Sequence, residues 1–326
     1  MQIFHIGEND AGQRLDKYLT KSMKFLPSSL LYKAIRTKKI KVNRKRTQQN
    51  YMLNAGDTIE IFLPDEYLVR CDNSKEAFLH LLPRLHVIYE DKNLLICDKQ
   101  PGLLVHADEE ESVDTLINHI KAYLYRKGEY DPEREHTFAP ALCNRIDRNT
   151  GGMVMAAKNA ASLRILNEKI RAREIEKKYL CAAHGLFEKK QDTMTGYLYK
   201  DRERNLVNIF DKKPDGTEDY KRIVTKYRVL AEENRLSLLE VELITGRTHQ
   251  IRAHLASIGH PLLGDGKYGI NRDDRKKGYR FQALYAYQIH FAFRGASSLD
   301  YLNGKTFFAD RKKIWFLNEF TSFSEK

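Results

Sequence analysis

Cysteine is scarce in this chain, and the four that occur are isolated from one another. Cys71, Cys97, Cys143 and Cys181 show none of the paired spacings that zinc sites or redox motifs need. Each stands in or beside an apolar stretch, which predicts buried free thiols in a reducing compartment. A disulfide scaffold and a cysteine-ligated metal site are therefore not expected.

The chain also lacks long apolar runs and the common nucleotide-binding fingerprints. No segment approaches the roughly 20 apolar residues that a transmembrane helix needs. Residues 1–8 contain neither a basic start nor an apolar core, so we expect no secretory signal and a cytoplasmic protein. Neither a phosphate-binding P-loop nor a dinucleotide-binding glycine motif occurs.

Positive charge, in contrast, is abundant and unevenly distributed. The 326 residues include 56 Lys and Arg against 44 Asp and Glu, a formal net charge of +12. Residues 1–64 hold twelve of the basic and five of the acidic residues, a local excess of +7. Hydrophobic residues make up 42% of the chain, which is enough for a sizeable core. These features predict a globular protein with a polyanionic partner.

Hydrophobic periodicity divides the chain into two folded parts. Two helical patterns followed by two strand-like runs predict a small α/β domain over residues 1–64, and the mixed composition of residues 65–85 favours a linker. In residues 86–326 strand patterns outnumber helical ones without regular alternation, which predicts an α+β domain on a mixed, largely antiparallel sheet. Helices are expected near 113–126, 159–173 and 248–258, with surface loops or hairpins at 200–220 and 265–280.

The small domain contains an uninterrupted basic stretch. Residues 30–50 include eight Lys and Arg and no acidic residue. Ordinary surfaces intersperse both signs, so a solvated lysine-rich face is the weaker interpretation and phosphate binding the stronger one. The surrounding sequence resembles the alpha-L RNA-binding motif at residues 14–19, 28–35, 40–43 and 55–59. The resemblance implies that five basic residues face RNA: Arg14, Lys33, Arg36, Lys39 and Lys41.

A polar turn at residues 144–152 is the first candidate for chemistry. It reads Asn-Arg-Ile-Asp-Arg-Asn-Thr-Gly-Gly and lies between two apolar runs. Such a turn leaves Asp147 exposed yet positioned, as a reacting carboxylate requires. The alternative is an aspartate that only stabilises the turn through its side chain.

A second candidate segment, residues 244–255, runs from a strand into a helix, with Thr248 as the predicted N-cap. His249 and Arg252 are three residues apart and share one helical face. His249 and His254 are five apart and miss the i, i+4 spacing of a helical metal pair, so we expect no metal site. Three apolar residues predict the buried stripe of this helix: Ile251, Leu255 and Ile258.

Together these stretches resemble the RluA-type family of ribosomal RNA pseudouridine synthases. The family's catalytic segment, His-Arg-Leu-Asp, two variable residues and Thr-Ser-Gly, appears here at residues 144–152. Further signatures follow in the family's order at residues 89–106, 178–179, 245–252 and 259–265. The resemblance implies the pseudouridine synthase fold and an enzyme that isomerises uridine in RNA without a cofactor or a metal.

Three residues depart from the family pattern. Asn144 stands in place of His, Gly151 in place of Ser, and Tyr285 where the family usually has His. None of these changes removes an acid, a base or a charge that the reaction needs. They bear on loop packing and substrate preference.

The resemblance also implies roles for individual residues. Asp147 would act on a flipped-out uridine, either by attacking the ribose or by removing a sugar proton. Arg252 would hold that carboxylate charged, and Tyr179, at the start of a strand, would stack on the uracil and accept the carbon-five proton. Arg145 would fill the gap that the flipped base leaves. Four further residues would shape the RNA-binding pocket: Arg247, Thr248, His249 and Gln250.

The substrate implied by this architecture is large-subunit (23S) ribosomal RNA, modified by a monomeric enzyme. Related members act on transfer RNA, which is the first alternative. A catalytically silent RNA-binding or ribosome-assembly factor is the second. An RNA hydrolase is the third, although that class usually needs carboxylate clusters that bind metal. Pseudouridine formation on a uridine-containing transcript, or loss of chain integrity, discriminates these classes.

Overall fold

A small antiparallel sheet with two helices forms the N-terminal part of the protein. The structure, a computed structural model, describes residues 1–23, 26–64, 77–108, 113–201, 203–214, 219–269 and 271–324. The elements of this part are β1 (Gln2–His5), α1 (Leu15–Ser22), α2 (Ser28–Arg36), β2 (Ile40–Val42), β3 (Lys45–Arg46) and β4 (Thr58–Ile61). The four strands pair in the order β1-β4-β2-β3.

The helices of this small unit form because their apolar residues recur at helical spacing. In α2, Leu31, Ala34 and Ile35 are buried, while Lys33 and Arg36 are exposed. The buried side chains pack with those of α1 and of the sheet into a single core. The basic residues are therefore left on the solvent side of the unit.

The rest of the protein is built on one large sheet. Its elements are β5 (Val87–Glu90), β6 (Leu94–Lys99), α3 (Leu116–Arg126), β7 (Ala141–Leu142), β8 (Gly151–Ala157), α4 (Ala160–Arg171), β9 (Ile175–His184), β10 (Gln191–Asp201), β11 (Leu206–Phe210), β12 (Lys221–Glu233), β13 (Leu236–Leu243), α5 (Gln250–Ser257), α6 (Asn271–Lys276), β14 (Leu284–Phe291), β15 (Thr306–Phe308) and α7 (Thr321–Ser324), with 3₁₀ turns at Asp300–Leu302, Arg311–Lys313 and Trp315–Glu319. The strand order is β11-β10-β12-β13-β9-β14-β8-β6-β5, with β15 beside β14 and β7 beside β8.

Among the described residues, every strand pair in this sheet is antiparallel except β8 and β14, which run parallel. The predicted α+β class with a mixed, largely antiparallel sheet is confirmed. One face is covered by α3 and α5, whose Ile120 and Leu255 pack with Tyr179 and Cys181 of β9. The other face is covered by α4 and the C-terminal turns. The central strands are thus buried on both sides, and strand ends and loops are left to form a site.

The two parts of the protein contact each other through a loop of the larger one. Asp10, which is buried, accepts hydrogen bonds from the hydroxyl and the backbone N–H of Thr137. The Asn9 side chain accepts a 3.0 Å hydrogen bond from the backbone N–H of Ala160, the first residue of α4. Residues 65–76 lie outside the described part, and Phe78 already belongs to the core of the larger unit. The domain boundaries at 64 and 85 stay a prediction.

Several local expectations need correction. The predicted loop at 265–280 contains a short helix, α6, and the helix predicted from 248 begins at Gln250. The 200–220 segment contributes β11, which pairs with β10, so the hairpin expected as one alternative there is confirmed. Tyr179 lies in the middle of its strand and not at the start.

The prediction of buried free thiols holds for Cys97 and Cys181, whereas Cys143 is free but only partly buried. Cys97, Cys143 and Cys181 are free, and Cys97 and Cys181 are fully buried. Burial raises the pKa of the Cys97 and Cys143 thiols to about 12, so both are protonated. Cys71 lies outside the described residues.

No helix in the described ranges combines the length and hydropathy needed to cross a membrane.

Candidate active site

Asp147 lies in the loop that joins β7 to β8 at the edge of a cleft of about 570 Å³. Its backbone carbonyl accepts a 3.1 Å hydrogen bond from the N–H of Thr150, and the N–H of Gly102 binds the next carbonyl, that of Arg148, at 2.9 Å. The side chain is 25% exposed. The loop is therefore fixed at several points while the carboxylate stays accessible, as the sequence predicted for a reacting group.

Lys99 supports the same loop through a hydrogen bond to the carbonyl of Arg148. This side chain is almost fully buried, and its ammonium donates hydrogen bonds to the carbonyls of Gln100, Leu103 and Arg148 at 3.0, 2.9 and 2.8 Å. Burial lowers the pKa of Lys99 to about 7, against the opposing effect of the nearby Asp147. Lys99 lies in one of the family signatures, but its role could not be predicted from the sequence. Its three acceptors are backbone carbonyls, which leave no pattern of side chains to recognise.

Arg252 joins two carboxylates that are distant in sequence. Its Nη1 donates a 2.9 Å hydrogen bond to Oδ2 of Asp147. Its Nε and Nη2 donate to both oxygens of Asp265 at 2.7 and 2.8 Å, a bidentate ion pair. Arg252 and Asp265 side chains are 8% and 0% exposed. The guanidinium is thereby held rigidly with one nitrogen directed at Asp147.

Asp265 was not predicted, although it lies in a recognised signature. Burial opposes its ionisation, but hydrogen bonds from Arg252 and from the N–H groups of Lys267 and Tyr268 hold its pKa below the usual value. Asp265 is therefore a permanent negative charge that positions Arg252. Burial likewise opposes the charge of Arg252, yet the two carboxylates raise its pKa above the ordinary value.

His249 occupies the position where helix α5 begins, in place of the predicted cap Thr248. Its backbone is left-handed, with φ of 53°, and this turns the imidazole back towards the cleft. Nδ1 lies 2.9 Å from the Tyr268 hydroxyl, and Nε2 lies 3.8 Å from Oδ2 of Asp147. The Tyr268 hydroxyl accepts from the N–H of Val207 and keeps its own proton to donate to Nδ1, and Nε2 faces a carboxylate oxygen, so the arrangement suits the tautomer with its proton on Nε2.

The charge state of His249 follows from its surroundings. Burial lowers the pKa of its imidazole to about 4, helped by the Arg252 charge and opposed by Asp147. At neutral pH the ring is therefore uncharged and presents an N–H to the carboxylate.

The buried stripe predicted for α5 is only partly right, because Ile251 and Leu255 are buried but Ile258 is 45% exposed beyond the helix end.

Gln250 connects α5 to β12 and to the turn that follows β13. Its amide donates to the carbonyl of Val224 and the hydroxyl of Thr225, and its oxygen accepts from Thr245 and from the N–H of Arg247. The side chain is buried and fully used in these contacts. It stabilises the turn that carries Arg247 and Thr248, which are exposed at the cleft rim.

Tyr179 forms part of the cleft wall opposite the loop. Its ring is buried in the core, and its hydroxyl makes no hydrogen bond within the part of the chain that the structure describes. Burial raises the pKa of this phenol above its usual value, and the Asp147 charge adds to the effect. The hydroxyl is therefore protonated at neutral pH.

The structure brings eight of the predicted site residues into this single cleft and places the remaining ones elsewhere. The eight are Arg145, Asp147, Tyr179, Arg247, Thr248, His249, Gln250 and Arg252. Arg14, Lys33 and Arg36 line a separate groove on the small unit, together with Lys45 and Arg46. Lys39 and Lys41 are outside that groove, and the Lys41 ammonium lies over the ring of Phe62. No group of three or more potential metal ligands occurs among the described residues.

Packing and hydrogen bonds around the Asp147 loop account for the three departures from the family pattern. The Asn144 amide spans to β8, where its oxygen accepts a 2.8 Å hydrogen bond from the N–H of Met155. Gly151 lies in parallel register with Tyr285 on β14. A Cβ atom at Gly151 would lie 2.7 Å from Cδ2 of Tyr285 and closer still to Cε2. The large ring at 285 therefore requires glycine at 151, while its hydroxyl donates a 2.6 Å hydrogen bond to the buried Asp98.

Replacing Gly151 with serine alone is expected to lower the free energy of unfolding by about 1–3 kcal/mol, because the side chain overlaps the Tyr285 ring. Adding Tyr285→His, a smaller ring, is expected to recover part of that loss. Urea unfolding measures both effects. Gly7→Ser is the matched control, since nothing lies within 4 Å of a Cβ there. A Gly151→Ser protein as stable as the wild type would contradict this packing.

Two protein-family models and several known proteins match the sequence of this chain. The family model for RNA pseudouridylate synthase matches residues 93–257, and that for the S4 domain matches residues 13–59. A ribosomal large subunit pseudouridine synthase C of Buchnera aphidicola is 33% identical over 274 residues, which are 83% of this chain and 81% of that protein. An uncharacterized RNA pseudouridine synthase of Mycoplasma capricolum is 32% identical over 94% of this chain and 96% of that protein.

A solved structure shares the fold at low sequence identity. Human RNA pseudouridylate synthase domain containing 4 is 22% identical, with a TM-score of 0.56 over 72% of this chain and 92% of that one. The matched family model covers the Asp147 loop, Tyr179 and Arg252 within one region. The chain therefore belongs to the RNA pseudouridylate synthase family and is an enzyme that isomerises uridine to pseudouridine in RNA.

Proposed function

We propose that this enzyme modifies uridines of large-subunit (23S) ribosomal RNA and that Asp147 is the group that reacts with the nucleotide. One observation carries the assignment of Asp147. Its Oδ2 is held by Arg252 and faced by His249, whereas its Oδ1 has no hydrogen-bond partner among the described residues. One oxygen is thus fixed and the other is available to substrate in the cleft.

The reaction requires a positioned carboxylate and no group donor. The bond from ribose C1′ to uracil N1 breaks, the base rotates, and C1′ is rejoined to carbon five, which gives up its proton while N1 gains one. Asp147 initiates this either by attacking C1′ or by removing a ribose proton. Arg252 and the neutral His249 stabilise negative charge on Asp147 in a cleft that excludes much of the water.

The other cleft residues bind the flipped nucleotide. Tyr179 presents a ring against which uracil stacks, and its protonated hydroxyl favours hydrogen-bond donation over removal of the carbon-five proton. Arg145 is exposed at the rim, where its planar guanidinium takes the place of the extruded base. Arg247 and Thr248 contact the RNA on the other side of the entrance.

The small N-terminal unit supplies affinity for RNA that does not depend on the base sequence of the RNA. Arg14, Lys33 and Arg36 line a groove on its surface, and phosphates bound there anchor the RNA. Lys39 and Lys41 extend the basic surface beyond the groove. On this proposal the enzyme acts as a monomer in the cytoplasm, where ribosomal RNA of bacteria is available.

The RNA class is supported by the name of the Buchnera relative and is tested by mapping pseudouridines in cells that lack the gene. We expect one or a few pseudouridines to disappear from 23S ribosomal RNA, and to return when the wild-type gene is restored. Loss confined to transfer RNA would contradict the ribosomal assignment. Unchanged pseudouridine in both RNA classes would contradict the proposal as a whole.

A further inference from the structure

Two adjacent lysines on β9 have opposite surroundings. Lys178 lies on one face of the sheet, where its ammonium donates a 3.2 Å hydrogen bond to Glu240. Lys177 lies on the other face, which it shares with Tyr179, and it lines the active-site cleft. No side chain or carbonyl within the described ranges accepts a hydrogen bond from the Lys177 ammonium. The paired lysine contributes to the sheet, and the unpaired one lines the cleft.

The Lys177 ammonium is a charge without a hydrogen-bond partner among the described residues, in a partly desolvated position, which is unfavourable for the folded protein. Lys177 is half-buried, and the loss of solvent lowers its pKa from the ordinary value. A desolvated charge without a partner reduces the stability of the folded protein, and an apolar residue would avoid that cost. The cost is offset when an anion enters the cleft, because attraction between charges is stronger where water is excluded.

The shape of the cleft indicates which anion. The cleft that Asp147 and Tyr179 line is also lined by Lys177 and by Arg173, an exposed residue just after α4. Successive residues on one face of a strand are about 7 Å apart, so Lys177 stands about one such step from Tyr179. Two carboxylates also line the cleft, Glu176 and Glu242, and Glu242 is paired with Lys226 at 3.6 Å.

We propose that Lys177 binds a backbone phosphate of the substrate RNA next to the flipped uridine, with Arg173 as the outer cation of the same subsite. This inference rests on the proposed function, because it assigns a strand of RNA to the cleft. A phosphodiester matches the site since it carries one negative charge and accepts hydrogen bonds from an ammonium. The subsite fixes the RNA chain about one strand step from Tyr179.

The test compares Lys177→Met, Lys177→Arg and the control Lys178→Met in the full-length protein, with a fragment of ribosomal RNA as substrate. Lys177→Met is expected to raise KM by roughly ten- to a hundredfold, with kcat within about threefold of the wild type. The slope of log Kd against log salt concentration is expected to become shallower by about 0.7, one phosphate contact to a single strand. Lys177→Arg should keep most of the affinity, and Lys178→Met should match the wild type in both quantities.

Three results would overturn the inference. The first is a salt slope in Lys177→Met that equals that of the wild type, and the second is a loss in Lys177→Met that is confined to kcat. The third is a Lys178→Met variant that weakens RNA binding as much as Lys177→Met does. Urea unfolding adds a readout that separates binding from folding, because removing an unpaired charge should leave Lys177→Met at least as stable as the wild type. A destabilised Lys177→Met would show a structural lysine and also overturn the inference. If the wild type forms no pseudouridine in ribosomal RNA the proposed function fails, whereas the salt slopes still report on the subsite.

Discussion

Asp147→Asn is expected to abolish pseudouridine formation, with a loss of at least about a thousandfold in the single-turnover rate. The amide keeps the size of the side chain but cannot act as a nucleophile or a base. Affinity for RNA should stay within about threefold, since the proposed contacts to phosphate lie in the basic groove and at the cleft rim. Arg252 retains both hydrogen bonds to Asp265, so the loop and α5 should keep their positions.

The measurement is release of the carbon-five proton from labelled uridine in a transcript, alongside a filter-binding assay. Asp273→Asn is the control, because that carboxylate is 77% exposed on α6 and takes no part in the cleft. A fully active Asp147→Asn protein would refute the assigned role. An inactive wild type that binds RNA tightly would favour the silent RNA-binding factor, and shortened RNA would favour the hydrolase.

Arg252→Met is expected to lower both the enzymatic activity and the free energy of unfolding. Activity should fall by about a hundred- to a thousandfold, because Asp147 loses the positive group that orients it and stabilises its charge. The free energy of unfolding should fall by about 3–5 kcal/mol, because Asp265 is left fully buried without its ion-pair partner. Arg252→Lys should recover little, since an ammonium cannot make three hydrogen bonds in a fixed fork.

A double variant separates the two effects of Arg252. In Arg252→Met with Asp265→Leu, the buried ion pair is replaced by apolar groups, so much of the stability should return. Activity should not return, because Asp147 still lacks its partner. Urea unfolding and single-turnover kinetics on the three proteins provide the comparison. Recovery of activity in the double variant would show that Arg252 acts only by supporting the fold.

The sequence alone determined the fold class and the main members of the site. Helices α3 and α4 lie within three residues of their predicted bounds, because apolar spacing along a helix is a local property of the chain. The order of the signatures led to the family that the comparisons confirm, and residues 144–152 contain the carboxylate of the cleft. The left-handed backbone of His249 and the end of α5 before Ile258 were not predicted, since both depend on packing against neighbouring elements.

The tertiary structure alone decided which side chains support the Asp147 carboxylate. Asp147 and Arg252 are 105 residues apart, and Tyr285 and Asp98 are 187 apart, so no local pattern connects them. The roles of Asp265 and Lys99 depend on buried charges whose partners come from other loops. Asp265 is identifiable only once α5 is placed beside its loop, because a bidentate ion pair requires two side chains in contact. The sequence thus specified the carboxylate that we propose as the reacting group, and long-range packing specified its orientation and charge.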